Sequence, residues 1–256
     1  MKFGIDGVNK NIKSGLIGIG GVNKNLKEVY VGIGGVNKLV WSAVVAPIVV
    51  DRLYHCDRDS DKIYELNIDT KASISNVSSP SSYPNGVGGI SGRLYHCDWG
   101  TDRIYELNID TKAEISNIAS PSGTPTGVGG ISGRLYHGDS SADKIYELNI
   151  DTKASISDAA SPGSYPQGVG GISDRVYHCD WGTDRIYELN VDTKASISNA
   201  FSPSGSPYDI GGISGRLYHC DNSTDFIYEL NVDTKAQISS ASSPSGLPWG
   251  VGGVKV

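Results

Sequence analysis

Five histidines and four cysteines are the residues of this sequence best suited to metal or nucleophilic chemistry. They form repeated dipeptides, in which glycine replaces cysteine once: His55-Cys56, His96-Cys97, His137-Gly138, His178-Cys179 and His219-Cys220. Each dipeptide lies in a β-type run, and adjacent strand residues point to opposite faces of a sheet, so its two side chains cannot bind one metal ion together. Cysteines at equivalent positions of separate repeats do not suit disulfide geometry either. We therefore expect four buried free thiols, histidines that form hydrogen bonds between repeats, no metal site and no cofactor.

Carboxylates offer a second possible chemistry. Asp57, Asp59 and Asp61 resemble the start of a calcium loop, but the later glycine and the bidentate acid are missing. The other repeats keep only the outer two aspartates, which are predicted to fix a hairpin turn through local hydrogen bonds. Catalysis by a propeller would need an asymmetric group of acids near the axis. Only Asp209 interrupts the Gly, Val and Ile of the predicted axial runs, so we predict no catalytic residues and no enzyme activity.

Composition and charge exclude several classes of protein. The net charge of the 256 residues is −6 and the basic residues are spread along the chain, whereas nucleic-acid binding needs a clustered basic surface. Glycine contributes 33 residues, without the three-residue period of collagen. No apolar run approaches the ~20 residues of a membrane span, and the first residues do not resemble a signal peptide. We expect a soluble all-β protein, made in the cytoplasm without a signal peptide, that binds neither nucleic acid nor membrane.

The elements that position these residues follow from an internal repeat. Arg-(Leu/Val)-Tyr-His begins five times at a spacing of 41 residues, at Arg52, Arg93, Arg134, Arg175 and Arg216. Each unit contains four short runs rich in Ile, Tyr and Val, separated by Asp, Gly, Ser and Pro, as is typical of strands. A period of about 40–45 residues with four strands is typical of a β-propeller blade. We label the strands A to D from the axis outward and assign Gly-Val-Gly-Gly-Ile to strand A, because glycine suits a crowded axis.

The number of strands predicts how the ring closes. Strands B, C and D occur five times, and strand A occurs at residues 86–90, 127–131, 168–172, 210–213 and 250–254. These strands make five complete blades only if the C-terminal strand A becomes the inner strand of the first blade, which also removes an open sheet edge. We predict a five-bladed β-propeller over residues 44–256. The alternative is six blades, in which residues 44–50 begin an additional one.

Residues 1–43 do not follow this period. Gly-Val-Asn-Lys recurs there at Gly7, Gly21 and Gly35, a spacing of 14 residues. The pattern predicts short strands, including residues 16–19 and 30–33, that alternate with glycine-containing turns. Such units bury little apolar area alone, so we expect this segment to be an adaptor that docks on a partner or on the propeller.

The repeats resemble a known class of propeller. The run Pro125-Thr-Gly-Val-Gly-Gly-Ile-Ser-Gly-Arg-Leu-Tyr-His and the later Asp143-Lys-Ile-Tyr-Glu-Leu-Asn are similar to NHL-type and related bacterial propeller repeats. This resemblance covers residues 52–256 and implies an architecture rather than an activity. The predicted five-bladed architecture also resembles that of tachylectin-like lectins. This is an analogy of fold alone, since none of their sequence motifs is present. Residues 1–43 resemble Gly-Val-Asn repeats of tail-associated proteins from phages and prophages of Gram-positive bacteria, which implies a location in a virion or tail.

Variation among the five copies points to one face of the predicted disc. The A–B and C–D turns are nearly constant, whereas the B–C loop and the D–A connection vary. Successive turns of an up-and-down blade alternate between the two faces, so both variable connections are predicted to open on the same face. They carry aromatic and amide side chains, which can form an apolar platform with a hydrogen-bonding rim. The candidate ligand-binding residues are Trp99, Trp181, Trp249, Tyr83, Tyr165, Tyr208, Asn85, Gln167 and Asn222.

Together these features predict a non-enzymatic binding module. We expect up to five similar shallow sites that recognise a cell-surface glycan or protein, with affinity gained through multivalency, in a phage or prophage tail or surface component. The alternative is a structural or protein-interaction scaffold that docks through residues 1–43. An enzyme ranks third, and ordered metal at Asp209 or in the central channel would indicate it. The structural explanation of the variable turns is that they have drifted and that their aromatic residues pack between blades.

Overall fold

The computed structural model describes residues 51–255 and four short strands nearer the N-terminus. These strands form two antiparallel hairpins, β1 (Leu16–Ile19) with β2 (Val22–Asn25) and β3 (Glu28–Ile33) with β4 (Val36–Ser42). The strands predicted at residues 16–19 and 30–33 are confirmed by β1 and β3, whereas the Val-Asn-Lys residues of the second and third copies, expected in turns, lie in β2 and β4. The first copy and the predicted domain boundary between residues 43 and 44 lie outside the described residues. The chain divides into two compact units, Met1–Val49 and Val50–Val256.

Residues 51–255 form five antiparallel sheets of four strands each. Blade 1 consists of β5 (Asp51–Asp57), β6 (Lys62–Leu66), β7 (Ser73–Ser78) and the C-terminal β24 (Pro248–Lys255). Blade 2 consists of β8 (Pro84–Ile90), β9 (Arg93–Asp98), β10 (Arg103–Leu107) and β11 (Glu114–Ala119), and blade 3 of β12 (Pro125–Ile131), β13 (Arg134–Asp139), β14 (Lys144–Leu148) and β15 (Ser155–Ala160). Blade 4 consists of β16 (Pro166–Ile172), β17 (Arg175–Asp180), β18 (Arg185–Leu189) and β19 (Ser196–Phe201), and blade 5 of β20 (Pro207–Ile213), β21 (Arg216–Asp221), β22 (Phe226–Leu230) and β23 (Gln237–Ser242). In this part of the chain there is no apolar helix of the length that crosses a membrane.

The strand order A-B-C-D from the axis outward is the predicted one, as in β8-β9-β10-β11 of blade 2. The inner strands begin earlier than predicted, at a proline such as Pro84 instead of Gly86. Proline has no N–H to donate and is tolerated at the first residue of a strand, and a bulge between Pro84 and Gly86 restores regular pairing with β9.

The C-terminal strand closes the ring. It pairs antiparallel with β5, so that Val251 lies opposite His55 and Gly253 lies opposite Leu53. Val251 and Val254 are completely buried by this pairing and by the neighbouring blades. The structure confirms the five-bladed β-propeller and the closing strand. Residues 44–50, to which the six-bladed alternative assigns a further strand, lie outside the described residues.

The inner strands approach so closely that side chains are excluded from the axis. A Cβ atom on Gly88 would lie 2.5 Å from the carbonyl oxygen of Val128 in the next blade, and one on Gly129 would lie 2.8 Å from that of Val169. The space left between the inner strands is about 10 Å³, which is about one water-sized sphere. The prediction that glycine lines a crowded axis is confirmed.

The nearly constant turns carry salt bridges that connect neighbouring blades. Arg93 pairs with Glu106 of its own blade at 2.8 Å and with Asp151 of blade 3 at 2.6 Å, and Lys153 of blade 3 reaches Glu106 at 2.9 Å. Burial alone would raise the pKa of Glu106, but hydrogen bonds from Arg93 and Lys153 outweigh it and lower the pKa to about 2. This network explains why the Arg, Glu and Asp-Thr-Lys positions vary so little among the copies.

The histidines join blades through both ring nitrogens. Nδ1 of His96 donates to the carbonyl oxygen of Gly86 in its own blade at 3.0 Å. Nε2 accepts from the hydroxyl of Ser79, which follows the outer strand of blade 1, at 3.2 Å. The predicted hydrogen bonds between repeats are thus confirmed. Burial lowers the pKa of His96 to about 4, and the same holds for His55, His178 and His219.

Candidate functional site

The variable connections meet on one face of the disc. We call this the loop face and define it as the B–C loops and D–A connections of the five blades. The backbone N–H of Trp99, in a B–C loop, donates to the carbonyl oxygen of Tyr83, in a D–A connection, at 3.1 Å. The same bond joins Trp181 to Tyr165 at 3.1 Å. This contact agrees with the alternation of turns on which the prediction was based.

A buried aspartate at the end of each strand B holds the two connections together. One carboxylate oxygen of Asp98 accepts from the N–H and the hydroxyl of Thr101 in the B–C loop, both at 2.9 Å. The other oxygen accepts from the N–H of Tyr83 in the D–A connection at 3.0 Å. Asp57, from the calcium-like run, likewise reaches the N–H of Leu247 at 3.1 Å. The predicted turn role is confirmed for the first of the two outer aspartates of the loop, whereas Oδ1 of the second in blade 1, Asp61, is buried without a hydrogen-bond partner. The bond across to the second connection was not predicted.

Blades 2 and 4 present two matched aromatic pairs. The rings of Tyr83 and Trp99 meet edge to face, with centroids 5.8 Å apart, and those of Tyr165 and Trp181 are also 5.8 Å apart. Between 42% and 50% of each residue is exposed. The glycine after each tryptophan makes room for the tyrosine, since a Cβ on Gly100 would lie 2.5 Å from the ring of Tyr83. Each pair is therefore a fixed corner with open ring surface.

A third pair lies on the inner strands where blades 5 and 1 meet. The ring centroids of Tyr208 and Trp249 are 4.3 Å apart, and both residues are half-buried. Burial raises the pKa of Tyr208, and Nε1 of Trp249 is buried without a hydrogen-bond partner. Blade 3 has Thr124 and Ser140 at the positions of the matched pairs. The six predicted aromatic residues thus form three pairs, two of them alike, rather than five equal sites.

The three predicted amide residues differ in accessibility. Asn85 is buried, and its Nδ2 donates to the carbonyl oxygen of Pro125 at 3.0 Å, which joins blade 2 to blade 3. Gln167, at the equivalent position of blade 4, is half-buried. Asn222 is half-buried in the B–C loop of blade 5, where its backbone N–H donates to Ser206 at 3.3 Å. Only Gln167 and Asn222 have side chains that reach solvent on the loop face.

Arg58 is a loop-face residue that the sequence analysis did not single out. It occupies the blade 1 position that Trp99 and Trp181 hold in blades 2 and 4. Its guanidinium carbon lies 4.5 Å from the ring centre of Trp249 and 4.7 Å from that of Tyr83. The exchange of an aromatic residue for a cation at a repeated position was visible in the sequence. The contact was not, because its partners belong to different blades.

Asp209 and the cysteines surround the axis without access to solvent. Asp209 is 1% exposed, and its carboxylate accepts from the N–H of Val251 at 3.0 Å and that of Val87 at 3.4 Å. The four cysteines are buried and unpaired, as predicted. Burial raises the pKa of each thiol, and the charge of Asp209 adds to this effect. Within residues 51–255 no group of three or more His, Cys, Asp and Glu side chains is arranged to hold a metal ion.

Replacing Asp209 with asparagine is expected to stabilise the protein at neutral pH. Burial raises the pKa of this carboxyl well above its usual range, whereas in the unfolded chain it ionises near pH ~4. A raised pKa stabilises the folded state only below the unfolded pKa, and this contribution is lost as the pH rises. The Tm of Asp209→Asn should therefore exceed that of the wild type by a margin that grows from pH 4 to pH 8, to on the order of 5 °C. The exposed Asp143→Asn is the control, and a margin independent of pH would contradict the prediction.

The face opposite the loop face carries an open depression of about 470 Å³. Its rim includes the A–B turns, in which Ser91 and Gly92 have φ angles of +50° and +74°, the geometry of a two-residue hairpin turn. Ile90 and its equivalents in three other blades line the wall, and Lys255 lies at the seam. This concavity is not predicted from the sequence, because near-constant turns surround it and the variation among the copies indicates the loop face.

Comparisons with known proteins support the fold. No family model and no curated protein matches the chain. Among solved structures, a chain of a nidogen–laminin complex has a TM-score of 0.56 at 12% identity, over 80% of this chain and 98% of that chain. Glutaminyl cyclase from Myxococcus xanthus has a TM-score of 0.51 at 12% identity, over 66% and 73% of the two chains. The structure of U3-55K has a TM-score of 0.50 at 10% identity, over 77% and 64%.

At these identities the similarity shows the β-propeller fold alone. The matched proteins differ in role, since one is an enzyme and another is a member of a protein complex. The fold is thus compatible with binding, scaffold and enzymatic functions, and the evidence for one of them must come from the residues of the loop face. The predicted links to tachylectin-like lectins and to phage tails stay predictions.

Proposed function

We propose that this propeller is a non-enzymatic binding module that recognises cell-surface carbohydrate through the aromatic pairs of its loop face. The observation that carries the proposal is the pair of matched corners, Tyr83 with Trp99 and Tyr165 with Trp181, in which each residue is 42–50% exposed. Single exposed aromatic residues are common on protein surfaces, but repeated pairs on one face are typical of binding sites.

A sugar ring suits such a corner. It has an apolar C–H face, which an exposed aromatic ring can cover, and a rim of hydroxyl groups that need polar partners. The edge-to-face angle gives each corner one ring for stacking and a second as a side wall. The exposed Ser82 and Ser164 precede the two tyrosines and supply hydroxyl groups beside both corners.

Two corners on one disc favour a polymeric ligand over a free sugar. Each corner is shallow and is expected to bind weakly alone. When both contact the same polymer, the second contact becomes intramolecular, and avidity can exceed either affinity by ~10²–10⁴-fold.

Replacing Trp99 and Trp181 together with alanine tests the proposal. The double variant of the full chain should lose roughly a hundredfold in avidity for a glycan-coated surface, because both stacking rings are removed. Each single variant should lose less, and adding Trp249→Ala should remove residual binding. Surface plasmon resonance on immobilised polysaccharides, after a glycan-array screen, measures this.

The matched control is the double variant of Ile115 and Ile197 to alanine. These residues lie on the outer strands of the same two blades and are 61% and 62% exposed, so they share exposure and blade but not the loop face. Their replacement should leave carbohydrate binding unchanged. Binding that survives replacement of all three tryptophans would contradict the proposal.

A protein-interaction scaffold is the second candidate. Each outer strand is paired on one side only and exposes one isoleucine, which favours contact with protein. These isoleucines are Ile74, Ile115, Ile156, Ile197 and Ile238. Docking through residues 1–43 follows from the small apolar area that their short repeats can bury alone, and a setting in a phage or prophage tail follows from the resemblance of these repeats. For this candidate, deleting residues 1–43 should abolish capture of a protein partner and leave carbohydrate binding intact.

A further inference from the structure

One cation lies among three aromatic rings at the junction of blades 1 and 2. The guanidinium carbon of Arg58 is 4.5 Å from the ring centre of Trp249, 4.7 Å from that of Tyr83 and 5.1 Å from that of Trp99. These distances are within the ~6 Å at which a cation is attracted to an aromatic face. We call these four residues the junction site. It contains the complete matched corner of blade 2.

Arg58 differs from the other arginines of residues 51–255 in having no oxygen partner there. Five of the others form salt bridges with carboxylates: Arg52, Arg93, Arg134, Arg175 and Arg216. The remaining two donate to asparagine side chains: Arg103 to Asn117 and Arg185 to Asn199. The nearby carboxylate of Asp57 is occupied by Ser60 and Leu247. Within the part of the chain that the structure describes, the guanidinium of Arg58 therefore has hydrogen-bond donors without a protein acceptor.

A second donor at the junction site is also unused. Nε1 of Trp249 is buried and has no hydrogen-bond partner, although a buried indole N–H normally has one. This N–H is buried, so the donors open to a ligand are those of the half-buried Arg58, whose planar guanidinium is suited to the oxygen atoms of an anion.

The guanidinium of Arg58 leaves the rings of Tyr83 and Trp99 in blade 2 exposed to solvent. Tyr83 is 42% exposed and Trp99 is 45% exposed, against 50% for Tyr165 and 45% for Trp181 in blade 4, which has no such cation. The two corners thus offer nearly equal ring area and differ mainly by one positive charge.

We propose that the junction site binds a carboxylate-bearing sugar, such as a uronic or sialic acid, while the corner of blade 4 takes neutral sugars. The guanidinium pairs with the planar carboxylate through two parallel hydrogen bonds, and the sugar ring stacks on the corner of blade 2. This inference rests on the proposed function and specifies its ligand class at one of the two corners.

The test compares Arg58→Met with Trp181→Ala in the full chain, on an array that pairs sialyl and uronyl glycans with their neutral counterparts. Arg58→Met keeps side-chain length and removes the charge. It should lower binding to the acidic glycans roughly tenfold, since a charge-assisted hydrogen bond is lost, and should change neutral binding less than twofold. Trp181→Ala should show the opposite pattern. Arg58→Lys should bind acidic glycans at an intermediate level, because a lysine cannot form the paired bonds.

Each outcome decides between the two proposals. Equal loss of acidic and neutral binding in Arg58→Met, or no loss of acidic binding, would overturn the junction site and leave the loop-face lectin in place. An absence of all glycan binding by the wild type would overturn the proposed function itself. Thermal unfolding of Arg58→Met distinguishes a loss of ligand contact from a loss of structure, and the Tm should stay within a few degrees of the wild type.

Discussion

At pH 4.5 the propeller should unfold at a far lower temperature than at pH 7. Burial lowers the pKa of His55, His96, His178 and His219 to about 4, against ~6.5 in an unfolded chain. A lowered histidine pKa stabilises the folded state above the unfolded pKa, and this stability is lost as the pH falls through that value. Between pH 6.5 and 4, unfolding should therefore take up about four protons, each worth about 1.4 kcal/mol per pH unit. The raised pKa of Asp209 acts in the opposite direction and offsets about one of them.

The pH dependence of the unfolding free energy, from urea titrations, measures this uptake. His96→Gln should reduce it by about one proton, whatever it does to stability at pH 7. The pKa values of Glu106 and Glu229 are lowered to about 2. These two groups therefore add to the proton uptake on unfolding only below pH ~4.5, whereas the histidines dominate it above that pH. If the slope of His96→Gln equals that of the wild type between pH 6.5 and 4, the buried histidines are not the cause.

Removing residues 250–256 should open the ring and lower the Tm by more than about 10 °C. The truncation removes the inner partner of β5, which keeps only its pairing with β6, and it removes the buried side chains of Val251 and Val254. Burial of each valine contributes about 1.5–3 kcal/mol, and 1 kcal/mol corresponds to about 2–4 °C in a domain of this size. An unchanged Tm, measured by calorimetry, would contradict the assignment of the closing strand.

Graded variants keep this prediction testable if the truncated chain does not fold. Val251→Ser and Val128→Ser change equivalent residues of the closing strand and of blade 3, which are 0% and 1% exposed. Equal losses in Tm are expected if the closing strand packs as tightly as the inner strands that are continuous with their blades. Lys255→Ser, at an exposed position of the same strand, should have little effect.

The sequence predicts the fold of residues 51–255 well, because the same interactions are encoded five times. The number of strands, the closing strand and the glycine-lined axis all follow from one 41-residue unit, because each blade packs against neighbouring blades of nearly the same sequence. The early start of the inner strands at Pro84 was missed because a bulge, rather than regular alternation, joins Pro84 to Gly86.

The candidate site is less predictable, because it depends on differences between copies and on contacts between them. That the two variable connections share a face follows from the alternation of turns. The junction site around Arg58 combines rings from strand β24 and from the loops of blade 2, and no local sequence pattern relates these residues. The hydrogen bond that Asp98 accepts from the N–H of Tyr83 joins two different connections, and turn propensity does not predict it either.

The pairing of β24 with β5 joins residues about two hundred positions apart in the chain. During synthesis, the inner edge of β5 therefore stays unpaired until all the other blades have been made. Such distant pairing slows folding, and four earlier strands of nearly the same sequence as β24 are available to pair with β5 in its place. Mispaired rings with fewer blades are therefore the folding error that this topology permits.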